Sequence, residues 1–261
     1  MQFDGLTGAP RSRREFLALL GAGALVQACK KSSLDGPNPL GSPRLTARPG
    51  TPTQTVAAGT INITAANPND GYLVVPPNYD PGRKWPLVLG LHGAGQGATY
   101  TLGSMGPMAT SRGFVLLAPG ARGLTWDVIS YKYSYDLAFI DTALKWAFDR
   151  CNIDPARVSV QGFSDGASYA YGLGLGNGDL FSRIVANSPG MAPIADADLL
   201  GKPKVFDSHG TLDTVLPIDG GSRPIVRDLK NMGYDVTYVE FAGGHELPDD
   251  IRSQAMDWML A

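Results

Sequence analysis

Residues 86–92, PLVLGLH, and 114–118, FVLLA, are close to unbroken apolar runs of strand length. A strand with one face in water alternates apolar and polar residues. A run without alternation marks a strand buried on both faces, which belongs in a mostly parallel sheet covered by helices on each side. Residues 157–160, 184–186, 205–206 and 236–241 read as further strands, and 61–63 and 72–75 as two more, separated by the turn Asn67-Pro68-Asn69-Asp70-Gly71. Between them lie segments of helical period. Leu137, Ile140, Ala143, Leu144, Ala147 and Phe148 are spaced for one helix face over 135–150, and further helices are predicted from Asp165, over 222–232 and over 249–260. Strand and helix in alternation predict an α/β fold with helices on both faces of a mostly parallel sheet. No repeat and no shift in composition interrupts 60–261, which reads as one domain.

Composition narrows the function classes. Of 261 residues, 43% are hydrophobic and 18% charged, enough apolar matter for a packed core. The net charge of −2 gives no pull toward nucleic acid. Two Cys exclude a disulfide scaffold and a Cys-rich zinc site, and three His leave little for a His-built metal centre, so no metal or cofactor is expected.

The first 28 residues read as an export address. Ser12-Arg13-Arg14-Glu15-Phe16-Leu17 precedes an apolar, small-residue stretch ending Leu25-Val26-Gln27-Ala28-Cys29. From Phe16 to Ala28 the run is too short for a bilayer, which takes about 20 residues. The paired arginines resemble a twin-arginine signal, and the last five residues resemble a bacterial lipobox with Cys29 as the lipidated residue. Residues 29–59 carry Pro37, Pro39, Pro43, Pro49 and Pro52 with no apolar period, and read as a flexible tether. These features predict a protein lipid-anchored at the cell envelope, touching membrane only through that anchor.

Gly162-Phe163-Ser164-Asp165-Gly166 falls between a predicted strand and a predicted helix. A Gly-x-Ser-x-Gly turn in that setting lets strand and helix approach closely and lifts the serine out of the sheet edge as a nucleophile. Such a serine needs a base, and the base an orienting carboxylate. His245, in Gly243-Gly244-His245 after the last strand, is placed as the base. Asp213, in the loop after the strand at 205–206, is placed as the acid, with Asp196 and Asp198 as rivals from the preceding loop. The turn Leu91-His92-Gly93-Ala94-Gly95 matches one that supplies an oxyanion donor, so the backbone N–H groups of Ala94 and Asp165 are the expected pair. His92 and His209 are read as structural. Trp126 and Leu247 are expected to wall the substrate groove, Tyr131, Tyr133 and Tyr135 to pack in a loop, and Cys151 to be buried and inert.

On these residues, with Ala118-Pro119-Gly120, Asn152-Ile153-Asp154-Pro155 and His209-Gly210-Thr211-Leu212-Asp213, the region 60–261 resembles an α/β-hydrolase-fold serine esterase. It is most similar to the phospholipase/carboxylesterase and polyhydroxybutyrate-depolymerase-like branch. The resemblance implies Ser164 as nucleophile, Asp213 as acid and His245 as base, acting on carboxylic esters through an acyl-enzyme. It implies a monomer with a small or oligomeric ester as substrate. The spacing from Ser164 to His245 leaves only about 188–203 as extra loop, so no large lid is expected. A peptidase or thioesterase on the same triad, and a non-catalytic binding module on the same scaffold, are the alternatives.

Overall fold

The computed structural model describes residues 40–63, 70–130 and 132–261. The export signal, Cys29 and Tyr131 lie outside the described residues. Eight strands form one sheet: β1 (Gly59–Asn62), β2 (Gly71–Val75), β3 (Trp85–Leu91), β4 (Val115–Pro119), β5 (Ile153–Phe163), β6 (Arg183–Asn187), β7 (Lys204–Gly210) and β8 (Val236–Phe241). Their order is β1-β2-β4-β3-β5-β6-β7-β8. The pairs β1–β2 and β2–β4 are antiparallel; every pair from β4 to β8 is parallel. The helices are α1 (Ala98–Arg112), α2 (Asp127–Ser130), α3 (Tyr135–Phe148), α4 (Asp165–Gly176), α5 (Ser222–Asn231) and α6 (Asp249–Leu260).

Neighbouring residues of one strand enter opposite cores, which is why the runs do not alternate. Leu87, Leu89 and Leu91 of β3 pack with α3 and α4. Val88 faces the other way, with Met105 and Ala109 of α1 and Ala255, Met256 and Met259 of α6. Arg112 ties the two helices of that second face together, donating to Ser253 O and Ser253 Oγ at 3.2 and 2.5 Å and pairing with Asp257.

Two features depart from the sequence reading. Helix α1 carries no strong apolar period: Gly103, Gly106, Pro107 and several Ser and Thr interrupt it, and its buried face is built of Ala98, Thr101, Met105, Gly106 and Ala109. The tether expected over 29–59 is the second departure. In its described part it is a strap laid against the body. Leu45 and Ala47 are buried. Thr46 N and Ala47 N donate to Asp141 Oδ1 of α3 at 2.6 and 2.7 Å. Leu45 N donates to Asn177 Oδ1, and Asn177 Nδ2 donates back to Pro43 O, both at 2.8 Å. Thr53 N and Gln54 N both donate to Asp149 O at 3.0 Å. The folded body therefore reaches back to residue 40, not 60. Polar contacts with residues about a hundred positions away replace the local period that a sequence reading looks for.

Candidate active site

Every element of the site leaves the carboxyl edge of the parallel sheet, where ligands bind in open α/β sheets. The strand β5 ends at Phe163 and α4 begins at Asp165, so Ser164 alone makes the turn, at φ 58° and ψ −124°. A non-glycine residue in that region is strained and is held only by what surrounds it. Ser164 N donates to Asn187 O at 2.9 Å, and Asn187 Nδ2 donates to Gly162 O at 3.0 Å, so the end of β6 braces the turn from both sides. The flanking glycines are sterically required. A Cβ on Gly162 would lie 2.1 Å from Gly166 O, and one on Gly166 would lie 2.4 Å from Leu91 O.

His245 reaches this turn from the loop after β8. Its Nε2 is 2.8 Å from Ser164 Oγ, and its Nδ1 is 2.6 Å from Asp213 Oδ2. The Asp213 carboxylate is held by the backbone of its own turn: Val215 N and Leu216 N donate to Oδ1 at 2.8 and 2.9 Å. The Phe163 ring packs on the imidazole of His245, centroids 5.0 Å apart. Ser164, His245 and Asp213, expected from three separate turns, thus form one hydrogen-bonded chain. Asp196 and Asp198 sit instead on a short 3-10 turn in the β6–β7 loop. That loop contains no other regular element, so 188–203 carries no helical cap.

The N–H groups beside Ser164 that are free to donate to a ligand's oxygen can be found by asking which ones are already used. In the turn after β3, Gly93 N donates to Gln96 Oε1 at 2.9 Å and Gly95 N donates to Leu124 O at 2.8 Å. Among the described residues no acceptor claims the N–H of Ala94 between them, nor that of Asp165 at the start of α4. The turn lies against the serine: a Cβ on Gly93 would be 3.3 Å from Ser164 Cβ. The Asp165 side chain does other work. Burial pushes its carboxyl up, against the pull of a 2.6 Å hydrogen bond from Thr125 Oγ1 and the nearby His245. Thr125 sits in a loop pinned by Asp136, which accepts from Arg122 N and Asp127 N at 2.6 and 2.7 Å. Asn187, Gln96, Thr125 and Asp136 were not singled out from sequence. Each acts through isolated contacts on a turn or strand end, which leave no periodic trace.

Trp126 requires a correction. It does not wall the groove but is 0% exposed. Its Nε1 donates to His92 O at 2.8 Å, and its ring stacks on Tyr169. The indole is a pillar beneath the turn after β3, its one polar atom satisfied by an acceptor in the interior, His92 O. Leu247 is half-buried and lines a narrow crevice with Tyr100, Met105, Phe163 and Arg252, adjoining the site through Phe163. Tyr133 is buried and Tyr135 is exposed. Cys151 is a buried free thiol, pushed up to about 12 by burial. No group of His, Cys, Asp and Glu suited to a metal occurs among the described residues.

No family model matches the chain. It is 29% identical over 181 residues to a protein of Aspergillus oryzae described as a probable feruloyl esterase C, covering 66% of this chain and 65% of that one. It is 31% identical over 157 residues to a bifunctional acetylxylan esterase/xylanase of Neocallimastix patriciarum, covering 56% of this chain and 22% of that one. The chain therefore spans less than two thirds of either relative. Among solved structures, a phospholipase/carboxylesterase of Dyadobacter fermentans superposes with a TM-score of 0.55 at 20% identity, over 81% of this chain and all of that one. Sheet order, the strained serine turn at the end of β5 and this superposition together make the chain a member of the α/β-hydrolase fold.

Proposed function

We propose that the chain is a serine hydrolase of carboxylic esters. The observation that carries the reading is the unbroken chain from Ser164 Oγ through His245 to Asp213, at 2.8 and 2.6 Å, on a turn strained at Ser164. In this reading Ser164 Oγ attacks the ester carbonyl while His245 Nε2 takes its proton. Asp213 holds the imidazole in the required tautomer and favours the imidazolium. The N–H groups of Ala94 and Asp165 receive the negative charge that develops on the carbonyl oxygen. His245 then protonates the departing alcohol and activates a water that cleaves the acyl-enzyme. The likeness to two proteins named as esterases supports esters over peptides. A burst of alcohol from a chromogenic acetate, equal to enzyme and absent in Ser164→Ala, tests it. A steady rate without a burst, retained in Ser164→Ala, defeats it.

The open edge of the sheet favours esters with a short or compact acyl group on a bulky alcohol, as the names feruloyl and acetylxylan esterase also suggest. The proposed enzyme works as a monomer without a cofactor. The export reading also stands as a proposal. No helix among the described residues is long and apolar enough to cross a membrane. Incorporation of labelled palmitate into the wild type and its loss in Cys29→Ala tests the anchor.

A further inference from the structure

We propose that His209 is a positioning residue for Asp213: a second histidine on the same carboxylate oxygen, turning Oδ2 toward His245. This rests on the ester-hydrolase reading. His209 is the second-last residue of β7, and its side chain is fully buried. Its Nε2 lies 2.8 Å from Leu216 O and 3.2 Å from Asp213 Oδ2. Both neighbours are acceptors, so Nε2 carries the proton: it donates to Leu216 O and lays its positive N–H end beside Asp213 Oδ2. Nδ1 is then left as an acceptor, and Ser222 Oγ, 2.7 Å away at the start of α5, donates into it. Only one tautomer of a neutral ring satisfies all three contacts. Burial also holds the ring neutral by lowering its basicity.

The contacts close a ring. Leu216 N donates to Asp213 Oδ1, Leu216 O accepts from His209, and His209 faces Asp213 Oδ2. Backbone donors alone fix one oxygen of Asp213. The direction of the other, which holds His245, depends on His209. A carboxylate fixed at one oxygen can still swing about the bond to its stem, so this partner decides whether Asp213 meets His245 at hydrogen-bond distance. His209 touches no substrate and exchanges no proton during turnover.

Two measurements test it. Nitrogen-15 NMR of the wild-type protein reads the ring directly: a neutral His209 protonated on Nε2 is expected throughout pH 6–8, and protonation on Nδ1 or a charged ring overturns the proposal. In the second, His209→Leu is expected to lower kcat on the order of 10- to 100-fold, as loss of an outer-shell partner does, with KM within about twofold. His209→Gln places an amide N–H where Nε2 stood and restores most of kcat. His209→Asn, whose amide reaches only the place of Nδ1, does not. Equal losses in the Leu and Gln variants, or wild-type turnover in a folded Leu variant, overturn it. Failure of the esterase reading looks different, because it leaves turnover in Ser164→Ala while the NMR state of His209 stays as described.

Discussion

The turns after β3 and after β8 each bring a histidine to the same edge of the sheet, and they use it in opposite ways. In the first, His92 is 1% exposed and both its ring nitrogens serve the backbone. Ala121 N donates to Nε2 at 3.0 Å, so the proton sits on Nδ1, which donates to Gly93 O at 2.8 Å. Burial lowers its basicity further. In the second turn, His245 has one nitrogen held by a carboxylate and the other aimed at a hydroxyl, with part of the ring open to solvent. The His245 imidazole touches Ser164 Oγ, whereas the His92 imidazole packs on Trp126. What separates the proposed base from a strut is one nitrogen on a serine hydroxyl and the other on a carboxylate, where the strut has backbone on both.

The contrast breaks if the two histidines respond alike. His245→Ala is expected to lower kcat on the order of 10⁴-fold or more with stability little changed, and Asp213→Asn by about 10⁴-fold through the wrong tautomer; steady-state kinetics on the folded variants checks both. His92→Ala removes the partners of one buried and one half-buried backbone group, Gly93 O and Ala121 N, worth about 1–3 kcal/mol each when orphaned in the interior. Its expected effect is a loss of about 2–4 kcal/mol in urea unfolding, with any fall in kcat far smaller than that of His245→Ala. If a folded His92→Ala protein loses as much turnover as His245→Ala, the distinction is wrong. Trp126→Phe keeps the ring stack and loses only the bond to His92 O, for about 1 kcal/mol. A larger change in KM than in stability would return Trp126 to the substrate groove.

The smallest effect is a slope with pH. Asp207, on β7 two residues before His209, is fully buried, and burial pushes its carboxyl from 3.8 up to about 7 against the 2.5 Å hydrogen bond from Tyr171 that favours its charge. Between about pH 4 and 7 the native protein keeps a proton that the unfolded chain has released. This contribution to stability therefore falls as pH rises and is gone above about pH 7. Asp207→Asn removes the slope, so the variant gains on the wild type from pH 5 to 8 in paired urea titrations. The buried His92 and His209 contribute the opposite slope below about pH 6.5 in both proteins, which cancels in the difference. A constant difference across the range would mean that Asp207 is ionised when buried.

How much of this could be read beforehand follows from where each signal resides. The strands β3 and β4 were legible because burial on two faces removes alternation. The Ser164 turn was legible because its serine and both glycines fall within five residues, even though the atoms that demand Gly166 belong to Leu91 and His92 of another turn. His245 and Asp213 were found by their order after Ser164 and by the scarcity of histidine. The strap escaped notice because its partners Asp141, Asp149 and Asn177 stand about a hundred residues away, and proline-rich composition looks the same whether or not such partners exist. Helix α1 was missed for a related reason: its contact face is made of small residues, so close approach takes the place of an apolar stripe. Trp126 misled because a loop aromatic carries no mark of which way it points. Its indole N–H decides that, and the acceptor it needs, His92 O, belongs to another turn.

The strap has a mechanical meaning as well. Any tension entering the body from residue 39 meets these contacts before it meets β1. They are ordered along the chain, first the bond that Tyr133 N donates to Leu40 O, next the Pro43–Ala47 bonds to Asn177 and Asp141, then the Thr53–Gln54 pair on Asp149. Pulled from its free end, such a row opens one contact at a time, each giving up a length of chain and lowering the load on the next. Force is taken up along α3 and at the C-terminal ends of α3 and α4, a full helix length from the turn at Ser164.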